Sequence, residues 1–69
     1  MMANETEFKS IGNQIFNSLT DKEKKKAFKE HYFETKELAI AEIEEGGSIS
    51  GEWDAGITTL KEWEEEHAR

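Results

Sequence analysis

Apolar residues recur every three or four positions along this chain, and no proline interrupts them. This spacing places side chains on one face of an α-helix, whereas a half-buried strand requires strict alternation. Only Ser48–Ser50 suggests a short extended piece. Since 69 residues form at most one domain with a thin core, we predict a small, all-α, antiparallel three-helix bundle spanning residues 1–69.

The first predicted helix covers about residues 5–17. Its apolar positions form a narrow stripe at 100° per residue, with Phe16 at the edge. The stripe includes Gly12, where a missing side chain would let another helix come close. The predicted core residues of this helix are Phe8, Ile11, Gly12, Ile15 and Leu19.

The second predicted helix covers about residues 21–45. Thr20 and Glu23 have the spacing of a capping box, which predicts Thr20 as the helix-capping residue. No glycine follows until Gly46, so the helix is long, and a kink near Phe33–Thr35 is the alternative. A second apolar patch predicts contact with both other helices. The core stripe is Phe28, Tyr32, Thr35, Ala39 and Ile43, and the second patch is Phe33 and Ile40.

The third predicted helix covers about residues 51–66. It follows a glycine- and serine-rich turn over residues 46–51, in which Ser50 is the predicted cap. We expect Trp53 and Trp63 to anchor the core. Alternatively, Trp63 lies partly outside among glutamates, as an interface residue with a polar rim does. The predicted buried face comprises Trp53, Gly56, Ile57, Leu60 and Trp63.

Charge is distributed unevenly along the sequence. Residues 30–69 contain twelve of the sixteen acidic residues and three basic ones, whereas residues 1–29 contain four acidic and six basic residues. The net charge of −7 disfavours direct binding to nucleic acid or to an anionic membrane. Basic proteins are the predicted partners, and a charge that serves only solubility is the alternative.

Glutamates repeat every seven residues along the second helix, opposite its predicted core stripe. Such an array of carboxylates would imitate the charge of a nucleic-acid backbone. A plain solvated helix face is the alternative. The predicted partner-binding residues on the second helix are Glu23, Glu30, Glu34, Glu37, Glu44 and Glu45, and those on the third are Asp54, Glu62, Trp63, Glu65 and Glu66.

Lysines form a second row on the same helix, comprising Lys22, Lys25, Lys29 and Lys36. We predict that they pair with the acidic end of another helix or with another copy of the chain, which would give a homodimer. A basic patch that binds nucleic acid is a further alternative, which the absence of arginine from this row disfavours.

No residue pattern predicts catalysis, cofactor binding or a metal site. Glu64 and His67 resemble half of a carboxylate-bridged metal motif, but the sequence contains a single copy. His31 near Glu34 predicts no more than a weak pH-sensitive pair. A core this thin predicts no pocket, so we expect a protein that is not an enzyme and has no cofactor.

The favoured hypothesis is an acidic binding protein that covers the basic surface of a nucleic-acid-binding protein. This DNA-mimic-like inhibitor or regulator would be of the phage or mobile-element accessory type. The sequence has no cysteine, no apolar run of 18 residues and no signal-peptide pattern at Met1–Glu5. These features predict a protein of the cytoplasm. A structural module that oligomerises through its apolar stripes is the first alternative.

A second alternative comes from a short resemblance. Residues Ala55–Trp63 resemble the last helix of the small acidic helical immunity proteins of nuclease bacteriocins. This resemblance implies a basic toxin as the partner. The sequence lacks the tyrosine-tyrosine-proline recognition motif of that family, so the immunity-type role stays an alternative.

Overall fold

Three helices form almost all of residues 3–67, the part of the chain that the computed structural model describes. They are α1 (Glu5–Ser18), α2 (Lys22–Glu44) and α3 (Ile49–His67), and no strand occurs among the described residues. The all-α prediction is confirmed, and the three helices match the predicted ranges to within two residues. The described residues do not include Met1, Met2, Ala68 and Arg69, which belong to the predicted domain. Arg69 is one of the three basic residues counted in residues 30–69.

The start of α2 corrects the predicted capping residue. Asp21 is the N-cap, and its Oδ1 accepts hydrogen bonds from the backbone N–H groups of Glu23 at 2.8 Å and Lys24 at 3.3 Å. The prediction that Thr20 caps this helix is therefore wrong. A carboxylate accepts charge-assisted hydrogen bonds and is favoured by the helix dipole, which gives Asp21 the advantage over the neighbouring hydroxyl.

The connection between α2 and α3 is tighter than predicted. Gly46 has a φ of +104°, a left-handed conformation that glycine adopts without steric cost. Ser48 then accepts a hydrogen bond from the N–H of Gly51 at 3.2 Å, so α3 begins two residues earlier than expected. Ser50 lies inside the helix rather than capping it, and Ser48–Ser50 is not an extended piece.

Helix α2 is continuous over 23 residues, without a break near Phe33–Thr35. Thr35 does not act as a second cap, since its hydroxyl donates to the backbone carbonyl of His31 at 2.8 Å within the helix. That bond satisfies a buried polar side chain locally. Continuity gives α2 a length of about 35 Å, nearly the whole long dimension of the molecule.

The helices pack in the predicted antiparallel order. Phe8 of α1 contacts Trp53 near the start of α3, whereas Phe28 near the start of α2 contacts Trp63 near the end of α3. Helices α1 and α3 therefore run in one direction and α2 in the other. The buried apolar core between them consists of Phe8, Ile15, Leu19, Phe28, Ala39, Trp53, Ile57 and Leu60.

Two glycines allow close packing between helices. Gly12 lies against the ring of Tyr32, whose Cδ1 would be 2.7 Å from an added Cβ, and Gly56 lies against Phe8. The predicted close approach at Gly12 is thus present. The second apolar patch of α2 packs only in part, because Ile40 lies against the core whereas 60% of Phe33 is exposed. Tyr32 contacts α1 at Gly12.

Candidate functional site: the charged ends of the bundle

All six glutamates predicted to bind a partner from the second helix are exposed, five of them on α2 and Glu45 at its C-cap. Because the helix is continuous, they share the sector opposite its buried residues Phe28, Thr35 and Ala39. On α3, Asp54, Glu62, Glu65 and Glu66 are also exposed, while Trp63 is half-buried.

Antiparallel packing gathers five of these residues at one end of the bundle. Gly12 meets Tyr32 near the middle of the bundle, and the start of α1, the second half of α2 and the start of α3 lie on one side of this contact. This acidic end has nine acidic residues and two lysines, Lys9 and Lys36, which give a net charge of −7. Its acidic residues are Glu5, Glu7, Glu34, Glu37, Glu42, Glu44, Glu45, Glu52 and Asp54.

The remaining predicted site residues lie at the opposite end. There, the end of α3 runs beside the lysine-rich start of α2, as the contact between Phe28 and Trp63 shows. Seven acidic residues and six lysines give the described part of this end a net charge of −1. The structure therefore separates the predicted binding residues Glu23, Glu30, Glu62, Trp63, Glu65 and Glu66 from the acidic end.

Sequence analysis missed four residues of the acidic end, namely Glu5, Glu7, Glu42 and Glu52. Glu5 and Glu7 lie in the sequence part with a net positive charge, and only the parallel course of α1 and α3 brings them to the other acids. The alternating direction of three consecutive helices was the signal, because it predicts which helix ends lie together.

Few of these charges are neutralised within the chain. Lys9 and Glu5 form an ion pair at 3.1 Å on α1. None of the six glutamates predicted to bind a partner from the second helix forms an ion pair with another described residue. Lys22, Lys26, Lys29 and Lys36 likewise form none within residues 3–67. Pairing of these lysines with another helix of the same chain is therefore not observed.

Lys25 has a different role at the α1–α2 contact. Its ammonium donates to the backbone carbonyl of Phe16 at 3.1 Å and lies 4.4 Å from the centre of the Phe16 ring. A cation over an aromatic face is attracted by the ring quadrupole. Lys25 therefore ties the end of α1 to the start of α2 and is not a free surface charge.

Trp63 packs within an aromatic group. Its ring contacts Phe28 at 5.1 Å and stacks with His31 at 6.1 Å and His67 at 4.4 Å between ring centres. Trp53 is buried, as predicted. The anchor interpretation therefore fits Trp53 fully and Trp63 in part.

An open apolar groove between α1 and α2 contradicts the expectation that the domain has no pocket. Its volume is about 650 Å³, and Phe33 stands at its edge. Phe16 at the margin of one stripe and Phe33 outside the other were the sequence signals for it. The apolar part of the lining consists of Gly12, Phe16, Phe28, Tyr32 and Phe33.

Tyr32 is the main contact beside this groove. Its ring stacks on Phe8 with 4.9 Å between ring centres. Burial raises the pKa of the Tyr32 phenol above its ordinary value of 10.0, the charge of Lys9 lowers it, and the charge of Glu5 raises it. The phenol therefore stays neutral at physiological pH.

The residues of the half metal motif have other partners. Glu64 Oε2 accepts a hydrogen bond from the Ser18 hydroxyl at 3.4 Å, and His67 Nδ1 lies 3.0 Å from the Trp63 carbonyl oxygen. Within residues 3–67, no three histidine or acidic residues gather in a way that would hold a metal ion. None of the helices in this range has the length and apolarity of a membrane span.

The acidic end and the groove are thus surface features that the described residues offer for binding. Comparison of the chain with protein-family models, curated proteins and solved structures found no match.

Proposed function

We propose that this protein is a non-enzymatic binding protein whose acidic end covers the basic surface of a nucleic-acid-binding protein. The observation that carries the proposal is the net charge of −7 collected at one end of the bundle. Apart from Glu5, none of the acidic side chains there forms an ion pair with a described residue. Their charge is available to a partner.

The physical basis is competition with phosphate. Duplex DNA carries one negative charge per about 1.7 Å of its axis, and its binding proteins attract it with clustered lysine and arginine. The acidic end presents carboxylates from three helices, and Glu34 to Glu45 alone span about 16 Å along α2. The helices fix the backbone that carries them, so binding loses little backbone conformational entropy.

The proposed role is that of a DNA-mimic-like inhibitor or regulator in the cytoplasm, as an accessory protein of a phage or mobile element. Such a protein would act by occupying the basic groove and excluding DNA from it. Attraction between opposite charges would also make association fast at low salt and weak at high salt.

The test uses charge reversal at the two ends. The triple variant Glu34→Lys/Glu45→Lys/Asp54→Lys changes the acidic end, and the control Glu62→Lys/Glu65→Lys/Glu66→Lys makes the same change of net charge at the other end. All six residues are exposed, so both variants should fold, which circular dichroism checks.

Wild-type protein and both variants would then serve as baits in nuclease-treated host lysate. We expect the wild type and the control to retain a basic DNA- or RNA-binding protein at low salt, and the acidic-end variant to lose it. The captured protein would next be tested for binding to labelled duplex DNA, with the wild-type chain as competitor.

Equal capture by both triple variants, or a captured partner whose DNA binding the chain does not inhibit, would contradict the proposal. Capture of a basic toxin that does not bind nucleic acid would instead support the immunity-type alternative. Neither triple variant alters Lys22, Lys29, Phe33, Glu37 or Glu44, the residues that carry the inference below, so the two proposals can fail separately.

A further inference from the structure

Helix α2 carries opposite charges in its two halves. On either side of Phe33, residues 22–32 contain five lysines and two acidic residues, and residues 34–44 contain one lysine and four glutamates. The halves thus have net charges of +3 and −3. Phe33, at the midpoint of the helix, is 60% exposed.

The charges nearest the outward face of Phe33 are placed symmetrically about it. Lys29 and Glu37 each lie four residues from Phe33, and Lys22 and Glu44 each lie eleven residues from it. At 100° per residue, all five side chains fall within about 80° of one another. The four charged residues are exposed, and none forms an ion pair with another described residue.

We propose that this face of α2 is the contact surface of a symmetric homodimer, in which the α2 helices of two copies lie antiparallel with Phe33 of each copy at the twofold axis. In this arrangement Glu37 of one copy lies at the level of Lys29 of the other, and Glu44 of one copy lies at the level of Lys22 of the other. In a parallel arrangement each lysine would lie beside the same lysine of the other copy, and each glutamate beside the same glutamate. Repulsion between these like charges disfavours that arrangement.

The α1–α2 groove supplies the apolar part of the contact. Phe33 stands at the edge of this groove, next to the rings of Phe16 and Tyr32 that line it. In the antiparallel arrangement, the Phe33 side chain of one copy is directed toward the groove edge of the other. Burial of aromatic surface and attraction between opposite charges then act at the same place.

The dimer is independent of the proposed function but shares residues with it. It uses Glu37 and Glu44, and Glu34 lines the groove beside Phe33, whereas Glu45 and Asp54 lie outside the contact. A basic partner and a second copy would therefore compete for part of the acidic end, and self-association would reduce the surface available to the partner.

A charge-swap experiment tests the arrangement. The first variant is Lys22→Glu/Lys29→Glu and the second is Glu37→Lys/Glu44→Lys. The changes at residues 22 and 44 favour the helix dipole, so both variants should fold. In a homodimer of the first variant glutamates face glutamates, and in a homodimer of the second variant lysines face lysines. In a heterodimer of the two variants every pair has opposite charges again.

Sedimentation equilibrium from micromolar to millimolar concentration would measure the association. We expect the wild type to dimerise and each double variant to dimerise about tenfold more weakly, since four exposed pairs change from attractive to repulsive. The equimolar mixture should form a heterodimer at least as stable as the wild-type dimer, and its association should weaken as salt rises.

A matched pair of apolar substitutions tests the centre of the contact. Phe33→Gln should weaken the dimer by at least about tenfold through loss of buried aromatic surface. Leu38→Gln is the control, because Leu38 is 66% exposed on a different face of α2, and it should leave the dimer unchanged. A wild type that stays monomeric at millimolar concentration, a mixture that does not restore association, or equal effects of both glutamine variants would overturn the proposal.

Discussion

The two sides of the bundle differ in how tightly their helices meet. Helix α3 packs closely against both other helices, with Leu60 fully buried and Gly56 set against the rings and methyl groups of Phe8 and Thr35. The α1–α2 contact depends on Tyr32 against Gly12 and on Lys25 over Phe16, with an open groove beside it.

This difference separates the source of stability from the surfaces available for binding. The contacts of α3 exclude water from the core, and burial of apolar surface is the largest favourable term in folding. The outward face of α2 and the groove contribute less to folding, so their side chains are free to vary for binding. The charged residues of the molecule accordingly lie on surfaces that do not contribute to the buried core.

Removal of a side chain from each side tests the comparison most strongly. Leu60→Ala should reduce the free energy of unfolding by about 2–5 kcal/mol, because it leaves a cavity among three helices. Phe16→Ala should cost about 1–2 kcal/mol, since the half-buried ring already borders open space. Urea denaturation gives both values, and an equal loss in the two variants would contradict the proposed difference.

Substitution of glycine by alanine tests whether the packing at the α3 contacts and at the α1–α2 contact can adjust to an added methyl group. In Gly56→Ala the new methyl group meets Phe8 at 3.0 Å, and Phe8 is fully buried and cannot move aside, so we expect a loss of about 2 kcal/mol. In Gly12→Ala the overlap with Tyr32 is closer, but that ring can move into the groove.

We therefore expect Gly12→Ala to lose only about 1 kcal/mol, part of which the better helix propensity of alanine offsets. Thermal unfolding followed by circular dichroism would compare the two variants. The opposite order of stability would show that the α1–α2 contact is the more rigid one.

The connections between helices extend the comparison to the start of α2. Asp21→Ala should lower the free energy of unfolding by about 1 kcal/mol through loss of two hydrogen bonds to the helix start. Thr20→Ala should change it by no more than about 0.3 kcal/mol, because this hydroxyl has no such role. The two variants side by side in urea denaturation decide which residue caps the helix.

Helix number, helix ranges and the buried face of each helix could be predicted because they follow from local spacing. The stripe from Phe8 to Leu19 and the face from Trp53 to Leu60 repeat every three or four residues, and that period belongs to the helix itself. The capping residues were wrong because Thr20 and Asp21 compete at adjacent positions, and Ser48 and Ser50 compete two residues apart.

The candidate site was less predictable because it depends on which helix ends meet. The sequence places Glu5 with the positive part of the chain and Glu66 with the negative part. Packing instead places Glu5 at the end with a net charge of −7 and Glu66 at the end with a net charge of −1. The groove depends on the rings of Phe16 and Phe33, which lie at the margins of their helical stripes. Spacing alone does not determine whether such marginal residues are covered by a neighbouring helix.

The smallest expected effect concerns the proton of Tyr32, the single tyrosine of the chain. Burial raises the pKa of its phenol in the folded protein, with smaller opposing effects of the Lys9 and Glu5 charges. The unfolded chain therefore loses this proton first as pH rises. The stabilising contribution is complete below about pH 10 and is lost as pH rises through the higher pKa of the folded protein.

Tyrosinate absorbance, measured in buffer and in concentrated urea, would give the two pKa values directly. Lys9→Met should raise the folded value further, because it removes the positive charge that lowers it. Equal values in buffer and in urea would mean that the Tyr32 phenol is as accessible to water in the folded protein as in the unfolded chain. The α1–α2 side would then be more open than its stacked rings indicate, and the contrast with the α3 side would be greater.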